Sequence, residues 1–293
     1  MSDANAIPQW FSGSEHTHRV AAAIAQYGPI ARTTLAQMLG LSQGALSRIT
    51  SDLIYAGVIE ELPAEAGPSG KLPERFTPRE SSDRRGRPQT SLVLCSNART
   101  FIGVKVHGMS IVAAAVNAHG EVVSGRHEMP IGADQSAEYV VSAITRLVRE
   151  CSADIASSGL PSPTAVGVAV GGHVVDDSIV TFAPFLHWDG ATDLGTMVTE
   201  ATGLPCGVFN DIDSLLVDAS WFGPGVGVDM FAVVTIGVGV GYSLAVNGKP
   251  VQYPAGAAVG LPTRIRAMVW WATCLSIRRG RAAPADISAV HNA

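Results

Sequence analysis

Three short apolar runs, each threaded with glycine, constrain this chain more than any other feature. They are GVKVHGM at 103–109, AVGVAVGG at 165–172 and TIGVGVG at 235–241. A brief β-branched run closing on glycines reads as a buried strand of an α/β sheet rather than as a helix. Around these runs, FIGVKVHGMSIVAAAVNAHGEVVSGRHEMP predicts three strands, with turns at His107-Gly108 and His119-Gly120. Residues 135–151 predict an amphipathic helix with Val140, Ile144 and Leu147 on one face, and another helix is expected near 192–202. GVFNDIDSLLVDASWFG reads as strand into helix, and MFAVVTIGVGVGYSLAVNG as a hairpin. Antiparallel strands, β-α units and a later second hairpin suggest a duplicated α/β fold. GVKVHGM and TIGVGVG would then be corresponding loops of its halves, which either cradle a phosphate or merely turn the chain.

The first hundred residues have a different rhythm. Val20, Ala23, Ile24 and Tyr27 fall on one helical face, and Gly28-Pro29 ends that helix. Thr33 or Thr34 is the expected cap of a second helix carrying Leu35, Met38 and Leu39 and stopped by Gly40. In LSQGALSRITSDLIYAG, Ser42 is a natural N-cap, Leu46, Ile49 and Leu53 form a buried stripe, and Gly57 closes the helix. Ser42, Gln43, Ser47 and Arg48 then lie at the polar N-terminal end, as a recognition helix reaching base edges and phosphates requires. An ordinary three-helix packing unit with a solvated face has the same pattern. VIEEL and TSLVLC read as strands flanking residues 63–89, which are rich in Pro, Gly and charge. The whole reads as a winged helix-turn-helix over 15–97 with a long basic wing. Arg84, Arg85 and Arg87 in DRRGRP form a cationic finger suited to a narrow minor groove, or else a solvated charge run.

Composition bounds the rest. The chain has 293 residues and a formal net charge of −5, so bulk attraction to nucleic acid is excluded. Residues 1–99 hold 10 Lys+Arg against 9 Asp+Glu, and the remainder 10 against 16, which confines any nucleic-acid surface to the N-terminal end. Four scattered cysteines, Cys95, Cys151, Cys206 and Cys274, suggest neither a disulfide scaffold nor a metal site. With no signal peptide and no long apolar run, a cytoplasmic protein without membrane contact is expected.

The order winged helix, Arg-Gly-Arg-Pro, GVKVHGM, AVGVAVGG, HWDG, FNDIDSLLVDASWFG, TIGVGVG resembles the ROK family (repressors, open reading frames and sugar kinases), and in particular its repressor branch. The resemblance covers about residues 15–258. It implies an actin/hexokinase-like α/β fold over 98–258, with two lobes closing on a sugar. It implies that Asn210 and Asp211 face sugar hydroxyls, with Gly171 and Gly172 lining the same ligand site. In the family's kinases that aspartate activates the attacking hydroxyl. A cap for a helix beginning at Ile212 is the plainer role for Asp211.

Departures from the family pattern argue against catalysis. Its first phosphate loop reads Asp-x-Gly-Gly-Thr, whereas Lys105, His107, Gly108 and Met109 stand here. Its second, Gly-Thr-Gly, is Gly237-Val238-Gly239, a remnant expected to serve only as a turn. Without the metal-organising carboxylate, the main electrostatic stabilisation of phosphoryl transfer is gone. The Gly-Glu-Ile-Gly-His segment and the zinc loop are missing, and one thiol, Cys274, cannot make a tetrahedral site. Five arginines between Arg264 and Arg281 surround Trp270-Trp271. A truncation, frameshift or recombination near residue 258 is therefore expected, leaving an incomplete second lobe and an atypical tail at 259–293. A new basic DNA- or membrane-touching segment is the rival reading of that tail. The expectation is a homodimeric or larger sugar-responsive repressor binding double-stranded operator DNA, its effector a sugar or sugar phosphate. No catalytic residue, cofactor or metal is expected. A sugar kinase with a fused DNA-binding unit is the alternative, weighed against by Lys105 and Val238. A DNA binder without ligand response is a third reading, favoured by the missing Glu and His.

Overall fold

The computed structural model describes residues 14–62, 72, 76, 90–132, 135–188, 190–236 and 240–251. The arginine finger Arg84, Arg85 and Arg87, the Gly237-Val238-Gly239 remnant and the 259–293 tail lie outside the described residues.

The chain opens with α1 (Glu15–Tyr27), a two-residue β1 (Ile30–Ala31), α2 (Arg32–Leu39) and α3 (Gln43–Tyr55). β2 (Ile59–Leu62) and β3 (Ser91–Leu94) follow, forming a sheet of order β1-β3-β2. Val20, Ile24, Ile30, Leu35, Leu46, Leu53 and Leu92 make the core of this unit. Ser42 caps α3 as expected, its hydroxyl accepting from the Ala45 amide at 3.2 Å. The second helix corrects the expected cap. It starts at Arg32, with extended Ala31 as N-cap and no side-chain capping bond, so Thr33 and Thr34 lie inside its first turn. Strand β1 runs straight into that helix and sets its start, leaving no room for a separate capping residue.

The larger part is α/β. β4 (Thr100–His107), β5 (Ser110–Asn117) and β6 (His127–Pro130) are the three expected antiparallel strands. They lead to α4 (Ala137–Ser157), six residues longer at its C-terminal end than the amphipathic pattern of 135–151 suggested. Cys151 and Ile155 extend its buried face, so the helix continues for as long as the sheet beneath it needs covering. β7 (Pro163–Val170) pairs in parallel with β4, and β11 (Cys206–Asn210) in parallel with β7, completing a five-stranded sheet of order β11-β7-β4-β5-β6. Ile102, Val104, Ile111, Val166, Val168 and Val208 pack from this sheet against Val140, Ile144 and Leu147 of α4. Between the parallel strands lie β8 (His173–Val175), β9 (Ile179–Phe182), β10 (Thr192–Asp193) and α5 (Leu194–Thr202). The three short strands form their own sheet, which the apolar pattern had not announced.

After β11 comes α6 (Asp211–Trp221), then β12 (Met230–Ile236), β13 (Val240–Val246) and β14 (Lys249–Pro250). The β12–β13 pair is the expected hairpin, in register from Met230↔Val246 to Ile236↔Val240. Gly241 sits tight against α6: a Cβ there would lie 3.0 Å from both Ile212 Cγ1 and Thr235 Oγ1, so glycine lets β13 close onto the helix without displacing either side chain. Among the described residues no helix is long and apolar enough to cross a membrane.

Candidate functional site

Strands β7 and β11 run parallel and end side by side, with Val170 in register with Asn210. In open α/β sheets, ligands bind at the carboxyl ends of such strands. Gly171 and Gly172 follow one strand and Asn210-Asp211 ends the other, so the fold brings all four expected ligand residues together. Asn210 is the N-cap of α6, its Oδ1 accepting from the amides of Ile212 at 2.8 Å and Asp213 at 3.1 Å. Its Nδ2 donates to the Gly172 carbonyl at 2.7 Å. One amide N–H is then left for a ligand.

This arrangement corrects the capping alternative for Asp211. The helix begins at Asp211 itself, one residue earlier than Ile212, and the cap is Asn210. An amide at the cap position can accept from the first free amides and still donate to the neighbouring strand; a carboxylate could only accept. Asp211 is thus released from capping. It is half-buried, and among the described residues its carboxylate has no hydrogen-bond or salt-bridge partner. Its position at the first turn places negative charge where the helix dipole favours it. Asp213, two residues on, is committed elsewhere and accepts from Ser243 Oγ at 2.5 Å, which ties α6 to β13.

A side chain absent from the expected set lies at the same corner of the sheet. Phe185, on the turn after β9, faces the same point as Asp211. A Cβ on Gly171 would lie 3.5 Å from Phe185 Cδ2 and 3.6 Å from Asp211 Oδ2. The Phe185 ring also stacks on His107, with centroids 6.3 Å apart and planes 13° off parallel. The backbone of 107–109 touches the same residue: a Cβ on Gly108 would be 2.9 Å from Phe185 Cβ. An aromatic ring therefore lies against this loop. His187, with a left-handed backbone at φ 50°, shapes the turn that presents the ring, and Trp188 anchors it by donating to the Gln135 carbonyl at 2.9 Å. No local pattern marks Phe185; only its place after the short β8–β9 sheet does. Lys105 is exposed on β4, and Met109, 76% exposed, stands beyond the loop.

A second surface lies on α3. Ser42, Gln43, Ser47 and Arg48 are all exposed, whereas Leu46, Thr50 and Leu53 are buried. The Ser42 hydroxyl is already engaged as the helix cap. Thr50, which the apolar stripe omitted, is fully buried and donates to the Ser47 carbonyl at 3.2 Å. Among the described residues no group of His, Cys, Asp and Glu is arranged to hold a metal ion.

Comparison with known proteins places this geometry. The sequence model of the ROK family matches residues 101–260. The xylose repressor of Caldicellulosiruptor bescii is 23% identical over 231 residues, 78% of this chain and 53% of that protein. The DNA-binding transcriptional dual regulator NagC of Escherichia coli K12 is 23% identical over 231 residues, 77% of this chain and 51% of its own length. The chain thus spans about half the length of the curated relatives it matches. A crystal structure of a ROK family transcriptional regulator, a homolog of the E. coli Mlc protein, superposes with a TM-score of 0.61 at 24% identity, covering 81% of this chain and 55% of that one. At that identity the likeness is one of fold.

Proposed function

The chain belongs to the ROK family, and from that premise we propose that it is a sugar-responsive, DNA-binding transcriptional regulator, a repressor of carbohydrate-utilisation genes. In this reading residues 15–97 are a winged helix-turn-helix whose wing spans 63–89, and 98–258 are the sugar-binding part. The observation that carries it is α3: a helix held by Leu46, Thr50 and Leu53 that leaves Gln43, Ser47 and Arg48 exposed on one edge. Short polar side chains and one arginine can enter a major groove there, and Arg84, Arg85 and Arg87 of the wing supply the cation for the minor groove. Two copies reading paired half-sites are the expected assembly. The effector is a sugar or sugar phosphate held by Asp211, the free amide hydrogen of Asn210 and the backbone at Gly171-Gly172. It acts by its differential affinity for two states of the chain.

The test is binding to duplexes that this chain selects from a random pool. Arg48→Ala weakens specific binding by roughly 1–3 kcal/mol at fixed salt, the size of a lost base-edge contact. Unchanged affinity in both Arg48→Ala and Arg87→Ala would remove the DNA reading.

The carboxylate of Asp211, without a partner among the described residues, also suits a sugar kinase, whose general base must stand beside the hydroxyl it activates. Two features weigh against that second reading. Lys105 and Met109 replace the acid and hydroxyl of the phosphate loop, and Phe185 lies against the loop backbone.

A further inference from the structure

We propose that α6 couples the ligand corner of the sheet to the DNA-binding unit, with Gln26 as the positioning residue at its far end. The regulatory meaning rests on the function proposed above; the mechanical link stands on geometry alone. The first turn of α6 belongs to that corner, through the Asn210 cap, its tether to the Gly172 carbonyl and the carboxylate of Asp211. The last turn belongs to the junction with the N-terminal helices. There the Ser220 carbonyl accepts from Gln26 Nε2 of α1 at 2.9 Å, across 194 positions of sequence. The last carbonyls of a helix have no donor within it, and Gln26 supplies the donor for this one.

Two further contacts converge on that end. The Asn247-Gly248 turn, with positive φ at both residues, lies alongside: a Cβ on Gly248 would be 4.0 Å from both Gln26 Nε2 and Ser220 Cβ. Phe222, the C-cap of α6, packs on Gly120, where a Cβ would be 3.1 Å from the ring. The turn holding Gly120 is itself fastened to the N-terminal unit. The Ala118 amide donates to the Ser96 carbonyl at 3.0 Å, His119 Nε2 is 3.0 Å from the Leu94 carbonyl, and Ala118 is buried in the core of that unit. Eleven residues at 1.5 Å each make α6 a rod of about 16 Å. A ligand that draws in Asp211 displaces the rod, and its other end carries α1, and with it α3, along.

Hydrogen exchange on the full chain tests the link without DNA or sugar. Asn210→Asp keeps the capping acceptor and removes the donor to Gly172. It should raise amide exchange in the last turn of α1 by about threefold or more, a change in local opening. In a Gln26→Glu background, where the donor to Ser220 is gone, the same substitution should add nothing at α1. The two sites lie beyond the distance at which independent substitutions normally interact, so non-additivity reports transmission. If Asn210→Asp disorders the lobe, Asn210→Ser takes its place as the milder cap variant. Exchange that rises in α6 and stays unchanged in α1 overturns the proposal.

A second arm titrates D-xylose, D-glucose, D-mannose and N-acetylglucosamine in turn against the protein on its selected duplex. Gln26→Glu should bind the duplex like the wild type and need about tenfold more sugar for release, the scale of an ordinary allosteric coupling. A wild-type sugar response in Gln26→Glu overturns the coupling and leaves the DNA reading standing. A wild-type chain that binds no duplex sinks the DNA reading, while the exchange result still decides the link.

Discussion

Asn210 joins three backbone segments with one amide: it caps α6, tethers Gly172 and ends β11. Asn210→Ala removes the cap and leaves the Gly172 carbonyl without its donor. The cap is worth about 1 kcal/mol and the orphaned carbonyl a similar amount, so a loss of about 2 kcal/mol is expected in urea unfolding. Asn210→Asp should recover the capping share and no more. The cysteines differ by burial in the same direct way. Burial pushes the Cys206 thiol up to about 12, so its thiolate fraction at pH 8 is on the order of one in ten thousand. Iodoacetamide at pH 8 should leave Cys206 unmodified in the folded chain and react with half-exposed Cys95 before buried Cys151 or Cys206. Early modification of Cys206 would mean that β11 opens readily.

Helix α4 is held to β6 by a polar clasp as well as by its apolar face. His127 of β6 lies 2.8 Å from Asp154 Oδ2 through Nε2 and 3.3 Å from Glu150 Oε2 through Nδ1, and the Gly125 amide donates to Asp154 at 2.8 Å. The hydrogen bond from His127, then that from Gly125, holds the Asp154 carboxyl below the usual aspartate range. A carboxyl with a lowered folded pKa binds fewer protons in the native state than in the unfolded one. Its contribution is therefore complete above the unfolded value of about 3.9 and lost as pH falls through the lower folded value. The stability difference between wild type and Asp154→Asn should shrink as pH falls from the unfolded value of about 3.9 through the lower folded one, and be gone below both. A difference that persists at the lowest pH would mean that Asp154 acts by packing rather than by charge.

The molecule as a whole brings an aromatic ring against the 107–109 loop and, at the same corner, a carboxylate with no partner among the described residues. It should bind a sugar without phosphorylating it. Calorimetry against D-glucose, D-mannose, D-xylose and N-acetylglucosamine should give heat for at least one of them. Asp211→Ala should abolish that heat, since a hydrogen bond to a charged group is worth roughly 1.5–3 kcal/mol. With ATP and magnesium present, no sugar phosphate should accumulate above background. Turnover that Asp211→Ala removes would restore the kinase reading.

Much of this was written in local pattern. The capped α3, the β4–β5 turn at His107-Gly108, the strand ending in Gly171-Gly172 and the β12–β13 hairpin all follow from apolar period and turn residues, which act over a few positions. The pairing of Gly171-Gly172 with Asn210-Asp211 was legible only through resemblance to a family. Other features depend on chain segments far apart. The start of α2 follows from β1 docking on β3, and the length of α4 from the sheet it covers. Phe185 meets Gly108 and Asp211 because the β8–β9 sheet folds back, and Gln26 reaches Ser220 across 194 residues. The sequence alone points to Asp211 as the cap of α6, because aspartate is a good cap; that Asn210 takes the role instead depends on the tertiary structure. The neighbouring carbonyl of Gly172 resolves it, since the residue at that corner must donate as well as accept, and only the amide can.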